Sequence, residues 1–262
     1  MIPYFQSPRI EIGPFAIELF GVFTAIGIYT CARVGVARAV KRGLAPKILA
    51  DYAFWGVVSG VVFGHLVHLF AYHPEELAKP YQIFKLWDGL SSFGGLLGGV
   101  IAAVILFRVR KLSIMEYGDV AAPAIALGWS ITRIGCFTVH DHLGVRSDSF
   151  LAVAFPGGPR LDLGLLDAFL LGAIAAVLFE LSRRELLKKK LLPLMAVLYS
   201  VGRFNLDFLR ASDVPYHNTR YYGLTPAQYF CFVLLGWGLY ALAMPAAPST
   251  APAQPAPAEP RK

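Results

Sequence analysis

Seven apolar runs, separated by short polar or glycine- and proline-bearing stretches, divide the chain at about 14–36, 48–71, 92–109, 117–136, 162–181, 191–209 and 226–244. Roughly 20 apolar residues in helical form cross the ~30 Å hydrocarbon core of a bilayer. The pattern therefore predicts an all-α fold, a polytopic transmembrane bundle of about seven helices over residues 1–244. From Pro245 the chain reads PAAPSTAPAQPAPAEPRK, a Pro/Ala-rich stretch with too little apolar surface to fold, and residues 245–262 are expected to be a disordered cytoplasmic tail. The segment before the first run, MIPYFQSPRIEIG, has one arginine and no basic cluster, so that run reads as a helix and not as a cleavable signal. Neither a solenoid-period repeat nor a second soluble domain is visible.

Composition narrows the class. The 262 residues are 56% hydrophobic and 16% charged, with a mean hydropathy of +0.55, outside the range of an ordinary soluble domain. The net charge of +7 invites a nucleic-acid reading, but its distribution removes it. Basic residues gather in alternate connections: Arg33, Arg38, Lys41, Arg42 and Lys47; Arg108, Arg110 and Lys111; Arg183, Arg184, Lys188, Lys189 and Lys190. The positive-inside rule places these in the cytoplasm, with the N-terminus outside and the C-terminus inside; contact with anionic lipid is a by-product. Cys31, Cys136 and Cys231 are scattered, with no disulfide or metal spacing. No Gly-x-x-x-x-Gly-Lys sequence marks a nucleotide site.

Charge inside the apolar runs is costly and marks a partner or a task. Arg133 interrupts AIALGWSITRIGCF, and Arg203 and Arg210 interrupt LYSVGRFNLDFLR. Helical spacing puts Arg203, Asp207 and Arg210 on one face at i, i+4 and i+7. One carboxylate cannot neutralise two guanidiniums, and a guanidinium fork matches phosphate oxygens. The row is read as a lipid-phosphate site at headgroup depth; a structural ion pair between helices is the competing reading. TRIGCFTVHDHLGVRSD brings Arg133, Cys136, His140, Asp141, His142 and Arg146 within 14 residues, with the histidines in an outer loop able to move a proton or simply solvated. Cys136 is either a packed small hydrophobe or a nucleophile. In IFKLWDGLSSFGGLLGGV, Gly94, Gly95, Gly98 and Gly99 form two small-xxx-small pairs suited to close helix packing, and a glycine-rich helix start also offers N–H groups to an anion.

Together these segments resemble the prolipoprotein diacylglyceryl transferases of the bacterial inner membrane. Arg133-Ile134-Gly135-Cys136-Phe137 with Gly144 and Arg146 is similar to the family's Arg-x-Gly-Asn-Phe signature and its following Gly-Arg pair. Arg203, Asp207 and Arg210 resemble its Arg-x-x-x-Glu-x-x-Arg motif, and Trp87-Asp88-Gly89 with Ser92-Phe93 and the glycines resembles Trp-Asp-Gly-x-x-Ser-Phe-His-Gly-Gly. The resemblance implies transfer of a diacylglyceryl group from phosphatidylglycerol to the cysteine thiol of a prolipoprotein lipobox, without cofactor or metal. It implies Arg133, Arg203 and Arg210 as catalytic groups, and His140 and His142 join them as expected catalytic groups from their place in the outer loop. Ser92, Gly94, Gly95, Cys136, Arg146 and Asp207, with the three arginines, are the expected substrate contacts. The partners it implies are phosphatidylglycerol, prolipoprotein signal-peptide regions and membrane lipid, with no nucleic acid.

Several positions depart from the family pattern. After Ser92-Phe93 the family histidine is missing, so either Gly94 replaces it or one residue has been deleted; Cys136 stands where the family has asparagine, Val139 near another asparagine, and Asp167 in LGLLDAF loosely resembles the glutamate of a Gln-Leu-Tyr-Glu segment. His140, His142, His65 or His68 is then expected to replace the missing base. The competing functions are a divergent paralogue that binds an anionic phospholipid or transfers another lipid group, and an anion or lipid transporter that uses the arginines for selectivity.

Overall fold

In the computed structural model, which describes residues 1–12, 15–86, 89–214 and 220–245, the chain begins with three short strands, β1 (Ile2–Pro3), β2 (Arg9–Ile12) and β3 (Phe15–Glu18). The helices α1 (Leu19–Lys41), α2 (Pro46–Val67), α3 (Ser92–Val109) and α4 (Ile114–Val139) follow. Strands β4 (Leu143–Arg146), β5 (Val153–Ala154) and β6 (Arg160–Asp162) precede α5 (Leu163–Arg183), α6 (Leu191–Leu206) and α7 (Pro226–Ala243). The architecture is all-α and polytopic, with each of the seven apolar runs supplying one helix among the described residues. Five of these helices are long and apolar enough to cross a membrane. At 16 residues α6 is shorter, about 24 Å by helical rise. The tail expected after Pro245 lies outside the described residues.

Three boundaries differ from the sequence expectation. The first helix starts at Leu19, because β2 and β3 pair as an antiparallel hairpin with Arg9 opposite Glu18. It then runs to Lys41, so Arg33, Arg38 and Lys41 lie on a helix and not in a loop. Gly43 closes it in the left-handed region at φ +67°, and Pro46 opens α2 at a position where a missing N–H costs nothing. The sixth helix stops at Leu206; Asp207–Leu209 form a tighter 3₁₀ turn and Arg210 is extended. The regular i, i+4, i+7 row therefore ends after its first step.

The chain forms two compact units, Met1–Gly35 with Gly118–Ala246, and Val36–Tyr117. The first has its core where α4, α5 and α6 meet: Ala122 and Ala126, then Leu171, Ile174, Ala175 and Leu178, then Leu191, Met195 and Tyr199. Within it α1 crosses α4 at a glycine pair. A Cβ on Gly27 would stand 2.4 Å from the Gly128 carbonyl oxygen, and one on Gly128 would stand 2.5 Å from that of Gly27. Between helices, where water supplies no driving force, such close backbone approach gives the packing. The four-stranded sheet has order β1-β5-β6-β4, parallel only between β1 and β5. At the other end of this unit, Asp119 accepts from the main-chain N–H groups of Lys189 and Leu191, and the Lys190 ammonium donates to the last carbonyls of α7.

In the second unit α2 packs along α3. Ser91 caps α3 by accepting from Gly94 N at 3.4 Å. The buried His65 ring holds the chain before α3 against α2, through Gly89 O at 3.0 Å and Gln82 O at 2.8 Å.

Candidate active site

The first unit gathers its charged residues by ending three helices near one another. Helix α4 terminates at Val139, where His140 takes a left-handed conformation at φ +51° that turns the chain toward β4. Asp162, at the end of β6, caps α5 by accepting from Gly164 N and Leu165 N, and Asp167 follows one turn later on the buried face. Helix α6 brings Tyr199 and Arg203 to its buried face one turn apart. Thr225 and Gln228 form a capping box at the start of α7.

These side chains form one continuous charged chain. Arg133 Nε lies 2.7 Å from Asp167 Oδ2, and Arg203 Nη1 donates to the same oxygen at 3.3 Å. The other nitrogen of that fork, Nη2, donates to Asp207 Oδ1 at 2.8 Å, which also accepts from Arg210 Nε at 3.2 Å. Thr225 Oγ1 donates to the second oxygen of Asp207. Both carboxylates are fully buried, while Arg133 and Arg210 keep 16% and 10% of their side-chain surface exposed. Within the chain three guanidiniums face two carboxylates, and the half-exposed Asp141 stands at its margin. Arg210 uses only its Nε on aspartate, which leaves donors of its fork for an anion, whereas Arg133 shares its fork among Asp167, Cys136 and His142.

Arg133 also gathers the loop. Its Nη1 donates to Cys136 Sγ at 3.5 Å and lies 3.1 Å from His142 Nε2. Burial, and then the charges of Arg133, Arg210 and Arg203, push the His142 imidazole down to about 3. Cys136, Asp141 and His142 offer ligand atoms within 4.8 Å of one another, the spacing of a cation site. A positive guanidinium already bonded to two of those three groups opposes a cation there.

His140 and Arg146 keep different company. His140 Nδ1 lies 2.8 Å from Asp162 Oδ2 and Nε2 lies 3.1 Å from Phe5 O. Tyr4 stacks on the ring at 5.3 Å between centroids, and Phe5, Phe137 and Phe155 enclose it. Both ring nitrogens face protein oxygens inside this aromatic enclosure. Arg146 is exposed and lies 3.8 Å from Asp213, which is held chiefly by two bonds from Arg160 at 2.8 and 2.5 Å. Those bonds keep the Asp213 carboxyl below its ordinary range.

Ser92, Gly94 and Gly95 lie in the first turn of α3, in the second unit. Trp87 and Asp88 fall outside the described residues. A Cβ on Gly94 would come within 2.3 Å of Phe63 O and 2.8 Å of Val67 Cβ, so a side chain there requires α2 and α3 to separate. Gly94 lies in a closed helix contact. His68 is stacked between His65 and His73, with ring centroids 6.4 and 4.6 Å away.

A family model described as prolipoprotein diacylglyceryl transferase matches residues 8–244. The chain belongs to the prolipoprotein diacylglyceryl transferase family. A protein of Chromohalobacter salexigens named phosphatidylglycerol–prolipoprotein diacylglyceryl transferase is 34% identical over 217 residues, covering 80% of this chain and 81% of its own length. Proteins of the same name from Methylococcus capsulatus and Xanthomonas euvesicatoria are each 29% identical, covering 92% and 95% of this chain and 95% and 94% of their own. Family membership and the apolar helices make this a membrane protein.

Tyr199, Thr225 and Gln228 were not singled out along the sequence, and Asp167 was noted there only for its loose resemblance to a family glutamate. Nothing along the chain shows that Asp167 joins Arg133 to Arg203. Tyr199, one turn before Arg203, is buried beside Arg133 and Asp167 and packs on Trp129 at 4.5 Å. Thr225 and Gln228 carried only a capping signal, and their contact with the α6 end is tertiary: Gln228 Nε2 donates to Phe204 O at 3.1 Å.

Proposed function

We propose that this protein transfers an sn-1,2-diacylglyceryl group from phosphatidylglycerol to the thiol of a prolipoprotein lipobox cysteine. The carrying observation is the Arg133–Asp167–Arg203–Asp207–Arg210 chain, which supports the reading as a pre-organised anion site in a member of this family. In the reaction the thiol sulfur forms a bond to the glyceryl carbon as that carbon's bond to the phosphate oxygen breaks. The products are a thioether and glycerol phosphate, and the thiol proton ends on the released phosphate. Negative charge grows on the departing oxygen, and fixed donors aimed at it lower the barrier. Arg133 and Arg210 supply those donors, while Arg203, buried between the two carboxylates, fixes their positions.

Both substrates lie in the membrane, which suits a site at headgroup depth. The basic ends of the helices support an orientation in the bacterial inner membrane with the N-terminus outside and the C-terminus in the cytoplasm.

The test is to incubate purified protein with phosphatidylglycerol and a lipobox peptide, and to follow the peptide's mass. Addition of one diacylglyceryl group is expected with phosphatidylglycerol and not with phosphatidylcholine. Arg210→Lys should lower the rate about tenfold or more, because the planar fork is lost. A second reading is favoured by the closed contact at Gly94: a paralogue that binds an anionic phospholipid without transfer. It is supported if phosphatidylglycerol binds and no adduct forms beside an active control.

A further inference from the structure

His142 offers a sharper assignment than a proton-shuttling histidine. A guanidinium donates hydrogen bonds and accepts none. The 3.1 Å contact between Arg133 Nη1 and His142 Nε2 is therefore a bond only when Nε2 presents its lone pair. In the neutral ring the remaining hydrogen then sits on Nδ1. That nitrogen is buried and makes no hydrogen bond of good geometry among the described residues, the ring's interaction with the Asp141 backbone being the smallest of the influences on it. A buried N–H without an acceptor is costly, and in folded proteins such groups mark a water, an ion or a ligand.

We propose that His142 is a neutral substrate-binding donor whose Nδ1–H, fixed by Arg133, takes an anionic oxygen of the phospholipid headgroup phosphate. The proposal rests on the transferase reading for the identity of the phosphate and deepens it. Burial and the three guanidiniums hold the imidazole neutral throughout the working pH range, so the ring adds a directional donor without adding a fourth positive charge. With Nε2 occupied, the ring is not the group that takes the thiol proton. Asp141 Oδ1 stands 3.8 Å from Nε2, too far to replace Arg133 as its partner.

The direct measurement is imidazole nitrogen NMR on the full-length, histidine-labelled protein in phosphatidylcholine nanodiscs, with His142 assigned by the signal that His142→Asn removes. The expected result is a neutral Nδ1–H ring from about pH 5 to 8 whose Nδ1 signal moves when phosphatidylglycerol is added. An Nε2–H ring, a ring that titrates near its ordinary value, or a signal indifferent to phosphatidylglycerol overturns the proposal.

Binding variants give a second readout. The amide nitrogen of His142→Asn falls near the position of Nδ1 and should hold phosphatidylglycerol affinity within about threefold, whereas His142→Leu should weaken it about tenfold or more. In the transfer assay the His142→Leu loss should appear in KM, with kcat and its acid limb retained. If His142→Leu instead removes kcat and the acid limb while binding is kept, His142 is a base and the proposal fails. If the wild-type protein binds phosphatidylglycerol but converts no peptide, the transferase reading fails, and the spectrum and the affinities still decide the role of His142.

Discussion

Arg210 and Gly144 are joined as an antiparallel β-bridge, and the neighbouring Ala211 N–H donates to Leu143 O at 3.0 Å. The segment leaving α6 is thereby tied to the strand that follows α4, and the last guanidinium of the charged chain is set by backbone contacts. A Cβ on Gly144 would stand 2.9 Å from Leu161 O and 3.0 Å from Leu209 O. Gly144→Val should therefore displace Arg210 and lower transfer about tenfold or more, with helix content unchanged. Peptide mass conversion and circular dichroism on the same preparation check both halves; a variant with full activity removes this account of Arg210.

Asp167 balances two arginines at once. Asp167→Asn leaves Arg133 and Arg203 buried with one carboxylate fewer, and breaking a buried pair of this kind costs about 3–5 kcal/mol. A clear fall in the thermal midpoint in detergent is expected. Asp167→Ala, which removes both oxygens, should fall at least as far.

Placing a histidine at position 94 should not help. Gly94→His drives a side chain into the Phe63 carbonyl and Val67, and overpacking of this sort costs about 1–3 kcal/mol. Gly94→Ala and Gly94→His should both lower the thermal midpoint, and neither should raise the transfer rate. A faster Gly94→His enzyme would mean that α2 and α3 part readily and that the missing imidazole limits the wild-type protein.

Acid should destabilise the fold through His142. Its pKa is held at about 3 against an ordinary 6.5, so the unfolded chain takes up a proton first on acidification. The stability contributed by the neutral ring is complete above about pH 6.5 and is lost as pH falls toward 3. His142→Leu should flatten that part of the curve of thermal midpoint against pH, whatever other carboxylates add below it.

His140 and Asp162 meet at 2.8 Å, an arrangement that suits a structural latch. His140→Phe keeps the aromatic packing but loses the bonds to Asp162 and Phe5 O, so the first residues of the chain should become more open to protease while phosphatidylglycerol affinity is retained. Loss of that affinity with an intact N-terminal segment would place His140 at the lipid site.

Apolar run length alone determined the seven helices and the all-α class, because each helix satisfies its own backbone and must be long and apolar to sit in lipid. The arginines were legible for the same reason: a charge in such a run is costly enough to stand out. Their partners were not. Asp167 lies 34 residues after Arg133 and 36 before Arg203, and only the packing of α4, α5 and α6 makes it their shared carboxylate. The 3₁₀ turn at Asp207, the bridge that positions Arg210, the enclosure of His140 and the closed contact at Gly94 also belong to tertiary structure. Each is decided by which backbones approach one another, and local periodicity carries no information about that.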